Sequence, residues 1–242
     1  MPRNMPDFRH RAELAELMDG PCSREEMHAC LRDIARINRW TMAYRPLLHW
    51  LDILAVALPA FVGPLRILDV GCGYGDGLRR IEQWAISRGI AVELTGLDLN
   101  TDAAAIASEE SPASSKIQWI GADVFAYAPE KPIHIVVSSL FTHHLANRDI
   151  VRFLQWMERC AEIGWFINDL FRAPVPYYAI RMFSKLAGLH RFVQYDGPVS
   201  IARSFVPADW RRMCAEAGLV DADVLIRPFA PARLCVARRR QQ

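Results

Sequence analysis

Apolar positions along this chain follow two alternating rhythms. Near the N-terminus they recur every three or four residues. Met27, Cys30, Leu31, Ile34 and Ile37 form one such series, behind Ser23, Arg24, Glu25 and Glu26, which have capping-box spacing. A second helix is expected from Pro46, a favourable first-turn residue, to about Leu58, where Pro59 stops it. From residue 66 onward, short continuous apolar runs alternate with helical stretches. The runs at 66–70, 92–98, 117–120, 133–140, 165–168, 224–227 and 234–237 read as strands. The segments after Asp76, at 102–109, 150–161 and 207–217 read as helices, the last ended by Gly218. Strands alternating with helices imply an α/β fold with a mostly parallel sheet covered on both faces. The expected organisation is a helical cap at 1–62 and an α/β core at 63–242, with a helical insertion at about 171–203 and a turn back at 192–198.

The first strand ends in a glycine-rich turn, Gly71, Cys72, Gly73, Tyr74 and Gly75, that opens a helix. Such a turn places a ligand at the carboxyl edge of the sheet. The ligand is not read as a dinucleotide. Counted from Gly71, the last glycine of G-x-G-x-x-G is replaced by Asp76; counted from Gly73, it is replaced by Leu78. No G-x-x-x-x-G-K-[ST] is present either.

The run Ile67, Leu68, Asp69, Val70, Gly71, Cys72, Gly73, Tyr74, Gly75 resembles the first motif of class I S-adenosylmethionine-dependent methyltransferases, and further elements follow in that family's order. Asp98 closes the second strand, Gly121-Ala122-Asp123-Val124 resembles the adenine motif, and 135–140 resembles the fourth strand. The resemblance implies a Rossmann-like seven-stranded sheet with its last strand antiparallel, and S-adenosylmethionine as cofactor. It assigns Gly71, Gly73 and Gly75 to the cofactor cradle and Asp98 to the ribose hydroxyls. Asp123 would face the adenine amino group, and Leu99 and Val124 fall in the same cofactor-binding set. Asp69 would contact the methionine end or organise the turn, Ser139 would border the methyl donor, and Arg45 would pair with the donor carboxylate.

Methyl transfer needs alignment of donor and acceptor, and for some acceptors removal of a proton. Phe141, Thr142, His143, His144 and Leu145 follow the fourth strand, so His143 and His144 are the candidate bases, His144 marginally ahead. Adjacent residues on a turn are expected to point apart, so one of the pair would face the acceptor. The insertion supplies Asp169, Arg172, Tyr177, Tyr178 and Met182 as candidate acceptor contacts, Asp169 and Arg172 pairing or orienting a polar group. Its apolar character points to a hydrophobic small molecule. The overall look resembles small-molecule methyltransferases of the ubiquinone and menaquinone type or of aromatic secondary metabolites. That implies O- or C-methylation of a phenol, quinone or polyketide.

Charge narrows this reading. Lys and Arg total 29 against 27 Asp and Glu, which argues against nucleic acid as the main partner. An RNA or protein methyltransferase is the alternative enzyme, but no N-P-P-Y-type motif follows the fourth strand. A methyltransferase-like binding subunit without catalysis is the non-enzymatic alternative, and a dehydrogenase is disfavoured by the failed fingerprint. None of the six cysteines forms C-x-x-C, so neither a metal site nor disulfides are expected, and the chain reads as cytoplasmic. No membrane span is expected, because the apolar stretch at 47–58 is short and interrupted by His49 and Asp52.

Overall fold

The structure is a computed structural model that describes residues 7–57, 63–220 and 223–240. Leu58 and Pro59, the expected end of the second helix, lie outside the described residues. The capping box forms as its spacing requires. The Ser23 side chain accepts from the Glu26 amide, the Glu26 carboxylate accepts from the Ser23 amide, and α1 runs Arg24–Trp40. Helix α2 is Arg45–Ala57. The core then alternates: β1 Leu65–Val70, α3 Asp76–Arg88, β2 Val92–Asp98, α4 Thr101–Glu109, β3 Gln118–Gly121, β4 Ile133–Ser139, α5 Asn147–Cys160 and β5 Ala161–Leu170. Two helices, α6 Pro174–Leu186 and α7 Arg191–Arg203, precede α8 Pro207–Glu216, β6 Val224–Phe229 and β7 Arg233–Arg239.

The seven strands form one sheet in the order β3-β2-β1-β4-β5-β7-β6. β7 runs antiparallel to β5 and β6, while the pairs among β1 to β5 are parallel. Strand order reverses between β1 and β4, and the connections leave these two strands in opposite directions. A crevice therefore opens at their carboxyl ends. Alternate residues feed two cores. Ile67, Ile135, Val137 and Phe166 pack with Leu47, Leu51 and Leu54 of α2 and Leu78 and Ile81 of α3. Leu68, Val136, Trp165 and Ile167 pack on the other face with Ile150, Phe153, Leu154 and Met157 of α5 and Trp210 of α8. The α5 positions recur at helical spacing, so a single stripe of that helix meets the sheet.

Two elements depart from expectation. β5 begins at Ala161, directly after α5, rather than at Trp165. It is a central strand: β4 pairs with it from Ala161, through an irregularity opposite Ile133 and Ile135, and β7 pairs with it from Gly164, so it extends past the exposed Glu162. Residues 192–198 are helix, not a turn. His190 caps α7 by accepting from the Phe192 amide. At Gly197 a Cβ would stand 2.9 Å from Ile180 Cγ1, so this glycine lets α6 and α7 close together rather than bending the chain. Pro198 is carried inside the helix.

At Gly164 the backbones of β5 and β7 approach closely, since a Cβ there would lie 2.2 Å from the Arg238 carbonyl oxygen of β7. Backbone cannot yield as a side-chain tip can. Gly164→Ala is expected to cost about 1–3 kcal/mol, read as a lower urea midpoint at unchanged slope.

Candidate active site

The turn after β1 is built by three left-handed glycines, Gly71 at φ 71°, Gly73 at φ 50° and Gly75 at φ 75°. They do different work. A Cβ on Gly71 would strike the Phe141 ring at 2.7 Å, and Gly73 presents its amide to Asp98 Oδ2 at 2.9 Å. Gly75 lies under Trp119 of β3, where a Cβ would sit 2.4 Å from that ring. Gly75 thus packs the turn and starts α3 and does not line the cavity, unlike Gly71 and Gly73.

Above the carboxyl edge lies a cavity of about 980 Å³. Gly71, Leu99 and Phe141 also line a second cavity of about 310 Å³ that holds Asp123 and Val124, so the two adjoin. Asp98 Oδ1 accepts from the Asn100 amide, and each of its oxygens keeps a further lone pair for a ligand. Burial pushes the Asp98 carboxyl up, while the amides of Gly73 and Asn100 pull it down. Asp123 is exposed and accepts from the Phe125 amide, closing a turn beside the smaller cavity. Ser139 lines the larger cavity at the end of β4.

One end of the large cavity holds two buried, opposite and incompletely bonded charges. Asp69 Oδ1 has no hydrogen-bond partner, and burial next to Asp76 and Asp98 drives this carboxyl well above its ordinary range. Arg233, on β7, donates through Nη2 to Asn38 Oδ1 at 2.6 Å, but its Nη1 is unpartnered. Burial pushes its guanidinium down. Asn38 and Tyr44 join this end to α3, the tyrosine hydroxyl donating to Asp76 Oδ2 at 2.7 Å. Arg45, expected here, is exposed and stands off the cavity against Met42, because α2 begins at it and its side chain leaves on the outer face. Arg233 lines the cavity where Arg45 does not. Nothing in the local sequence around it distinguishes that arginine from a solvated one.

The other end carries the histidines. Thr142–His144 form a single 3-10 turn, and both rings line the cavity with centroids 4.3 Å apart. The expectation that adjacent residues diverge fails because each ring is held by its own carboxylate. His143 Nδ1 meets Asp169 Oδ1 at 2.7 Å, and His144 Nδ1 meets Asp19 Oδ1 at 3.1 Å. Both Nε2 atoms then face Glu16, each 3.8 Å from one of its oxygens. Burial raises the Glu16 carboxyl, opposed by His144 and Arg203. Asp169 is fully buried. Burial alone would raise it, but His143 and the bonds from Thr142 and Leu170 hold it well below the usual carboxylate range. Glu16 and Asp19 escaped the sequence reading, for they sit in a short N-terminal segment whose only signal is acids spaced by three.

The roof is α6, reached differently from expectation. Val175, Pro176, Ala179, Ile180 and Phe183 line the cavity, at helical spacing. Tyr177, Tyr178 and Met182 fall off that stripe. Tyr177 packs edge-on against Phe8 and Tyr178, while Tyr178 and Met182 are exposed. Arg172 pairs with Asp209 at 2.9 Å rather than with Asp169, and donates to the carbonyls of Phe8, Arg9 and Ser204. It ties the N-terminal segment to the core and does not line the cavity.

Residues 67–164 match the family described as a methyltransferase domain. Similar solved structures include the plantazolicin methyltransferase BpumL in complex with a triazolic desmethylPZN analog and SAH, at TM-score 0.65 and 16% identity, with 90% of this chain and 97% of that one covered. Magnesium protoporphyrin IX methyltransferase from Synechocystis PCC 6803 with bound SAH aligns at TM-score 0.54 and 14% identity, over 83% of this chain and 84% of that one. The citrinin polyketide synthase CMeT domain aligns at 0.59 and 15%, over 79% of this chain; this chain spans 51% of that one. At such identities the likeness is one of fold. A search of curated protein sequences gives no match.

The orphaned Asp69 has a measurable signature. With its folded pKa raised, the folded state keeps a proton that the unfolded chain releases above the ordinary aspartate value of about 3.9. Its contribution to stability is therefore present at low pH and lost as pH rises toward the raised value. Asp69→Asn cannot titrate. The difference in melting temperature, variant minus wild type, is expected to grow more positive from about pH 4 to pH 7 in the ligand-free protein. A difference that is flat or falls with pH contradicts this.

Proposed function

We propose that this chain, whose residues 67–164 are a methyltransferase domain, uses S-adenosylmethionine to methylate a small, largely apolar acceptor. The observation that carries the reading is the pair of orphaned charges at one end of a large cavity. Asp69 Oδ1 and Arg233 Nη1 match the ammonium and carboxylate of an amino acid, and a sulfonium-linked methionine carries both. The glycine turn supports the same ligand, since a side chain at Gly71 would fill the cradle. Gly71, Gly73 and Asp98 would hold the ribose region, with Leu99 beside it. Asp123 and Val124 would line the adenine cavity, and Ser139 would border the sulfonium. When bound, the cofactor supplies an electrophilic methyl group.

The chain's own residues do the rest. The α6 stripe, with Trp40 and Ile201, excludes water and favours an apolar acceptor. The wall of Glu16, His143 and His144 is a second polar feature of the cavity, and it is where an acceptor would lose a proton. The neighbouring folds belong to enzymes named for plantazolicin, magnesium protoporphyrin IX and a polyketide synthase, which supports a small-molecule acceptor over nucleic acid.

Calorimetric titration with S-adenosylmethionine tests the donor end. Asp98→Ala should weaken binding at least about tenfold, the loss of one charged hydrogen bond of about 1.5–3 kcal/mol. Arg233→Met should weaken it comparably while leaving the ligand-free protein no less stable, since it removes an incompletely paired buried charge. Unchanged affinity in both overturns the assignment. With an acceptor in hand, His143→Gln should keep donor affinity and lose turnover by about 10²–10⁴-fold.

A further inference from the structure

We propose that Glu16, His143 and His144 form a binding site for one first-row divalent transition metal ion, Zn²⁺ or a chemical relative, in the wall of the acceptor cavity. The inference deepens the methyltransferase reading and rests on it only for the ion's role.

The argument starts from tautomers. His143 Nδ1 lies 2.7 Å from Asp169 Oδ1, and His144 Nδ1 lies 3.1 Å from Asp19 Oδ1. An ionised carboxylate only accepts, so the ring nitrogen facing it must carry the hydrogen. His143 and His144 therefore both have Nδ1–H, and in the neutral ring Nε2 is left with a lone pair. Those two lone pairs face the two oxygens of Glu16 at 3.8 Å. The three ligand atoms lie within 4.8 Å of one another, and Glu16 and His143 are buried. Two imidazole nitrogens and a carboxylate oxygen that converge in this way can share one cation.

Charge points the same way. Among the side chains that pair directly in this cluster, Glu16, Asp19 and Asp169 are anionic and Arg203 is cationic. Carboxylates outnumber the guanidinium three to one here, a setting that favours a bound cation. Ser200 donates to Glu16 Oε1 at 3.0 Å and fixes its orientation. The pattern of two histidines and one carboxylate, each histidine backed at Nδ1 by a second carboxylate, suits Zn²⁺ or Fe²⁺ with positions left open. All three residues also line the cavity, so the open positions would face the acceptor. An ion there would lower the pKa of a coordinated hydroxyl or enol. The sequence hid this site because its ligands come from residue 16 and residues 143 and 144, joined only by the fold.

The test is made on the full chain, stripped with a strong chelator and dialysed. Co²⁺ is added as a spectroscopic probe, and Zn²⁺ content is measured by plasma mass spectrometry. One equivalent per chain with visible cobalt ligand-field bands is expected. Glu16→Gln and His144→Ala should each weaken uptake by at least about 100-fold, the upper end of what loss of an outer-shell partner alone costs. Both variants should still bind S-adenosylmethionine. His28→Ala, which removes an exposed histidine paired with Glu110, should leave uptake unchanged. Wild type that binds S-adenosylmethionine but takes up no Co²⁺ or Zn²⁺ overturns the metal site and leaves a histidinium–carboxylate ion pair in its place. Metal uptake equally lost in His28→Ala overturns it too. Failure of the methyltransferase reading looks different: metal is bound and S-adenosylmethionine is not.

Discussion

Four donors converge on the carboxylate of Asp169. They are the Thr142 hydroxyl, the His143 amide, the His143 ring and the amide of Leu170. This one buried charge joins the end of β5 to the turn after β4, and so closes the carboxyl edge of the sheet at its crevice. A carboxylate with no exposure is tolerable only when so fully bonded, since burial alone would neutralise it. The same bonds fix the His143 tautomer. Asp169 therefore touches no part of the cavity itself and still determines what the cavity wall can do.

The two ends of the cavity handle charge in opposite ways. Around Asp169 the bonds are complete without a ligand. Around Asp69 and Arg233 they are not, and each buried group faces an unbonded atom. Burying such groups costs free energy that a ligand bearing matching charges offsets, so the donor end is built to be incomplete. The histidine wall lies between these cases. Its Nδ1 atoms are satisfied and its Nε2 atoms point at a carboxylate across 3.8 Å.

Much of the fold was legible because it rests on local rhythm. The capping box, the helical stripe of α5 and the apolar strands each declare themselves within a few residues, and each of the seven strands overlaps the run expected to form it. The glycine turn was legible because a left-handed backbone needs glycine. What escaped depends on distance in sequence or on phase. Arg233 reads like any arginine until β7 inserts beside β5 and buries it. Tyr177, Tyr178 and Met182 belong to the right helix, but composition does not give the rotation that selects Pro176, Ala179, Ile180 and Phe183. Glu16 and Asp19 reach the site through long-range bonds, among them those from the amides of Leu17 and Met18 to Asp196, which hold that segment over the cavity.

Leu140 shows how the two ends are coupled. It sits at φ 55°, a left-handed conformation that a branched residue adopts at a cost of about 1–3 kcal/mol. Its amide donates to the Asn168 carbonyl at 3.1 Å, one residue before Asp169. The reversal it makes directs Phe141 back onto Gly71, where no Cβ could fit, and sends Thr142 and His143 down onto Asp169. A residue with ordinary backbone angles here would carry the chain away from the crevice. The strain is held by the hydrogen bonds on its two sides, and it buttresses the glycine turn while placing the histidines. Donor cradle and acceptor wall are thus two faces of a single turn, so a change that relaxes Leu140 acts on both together.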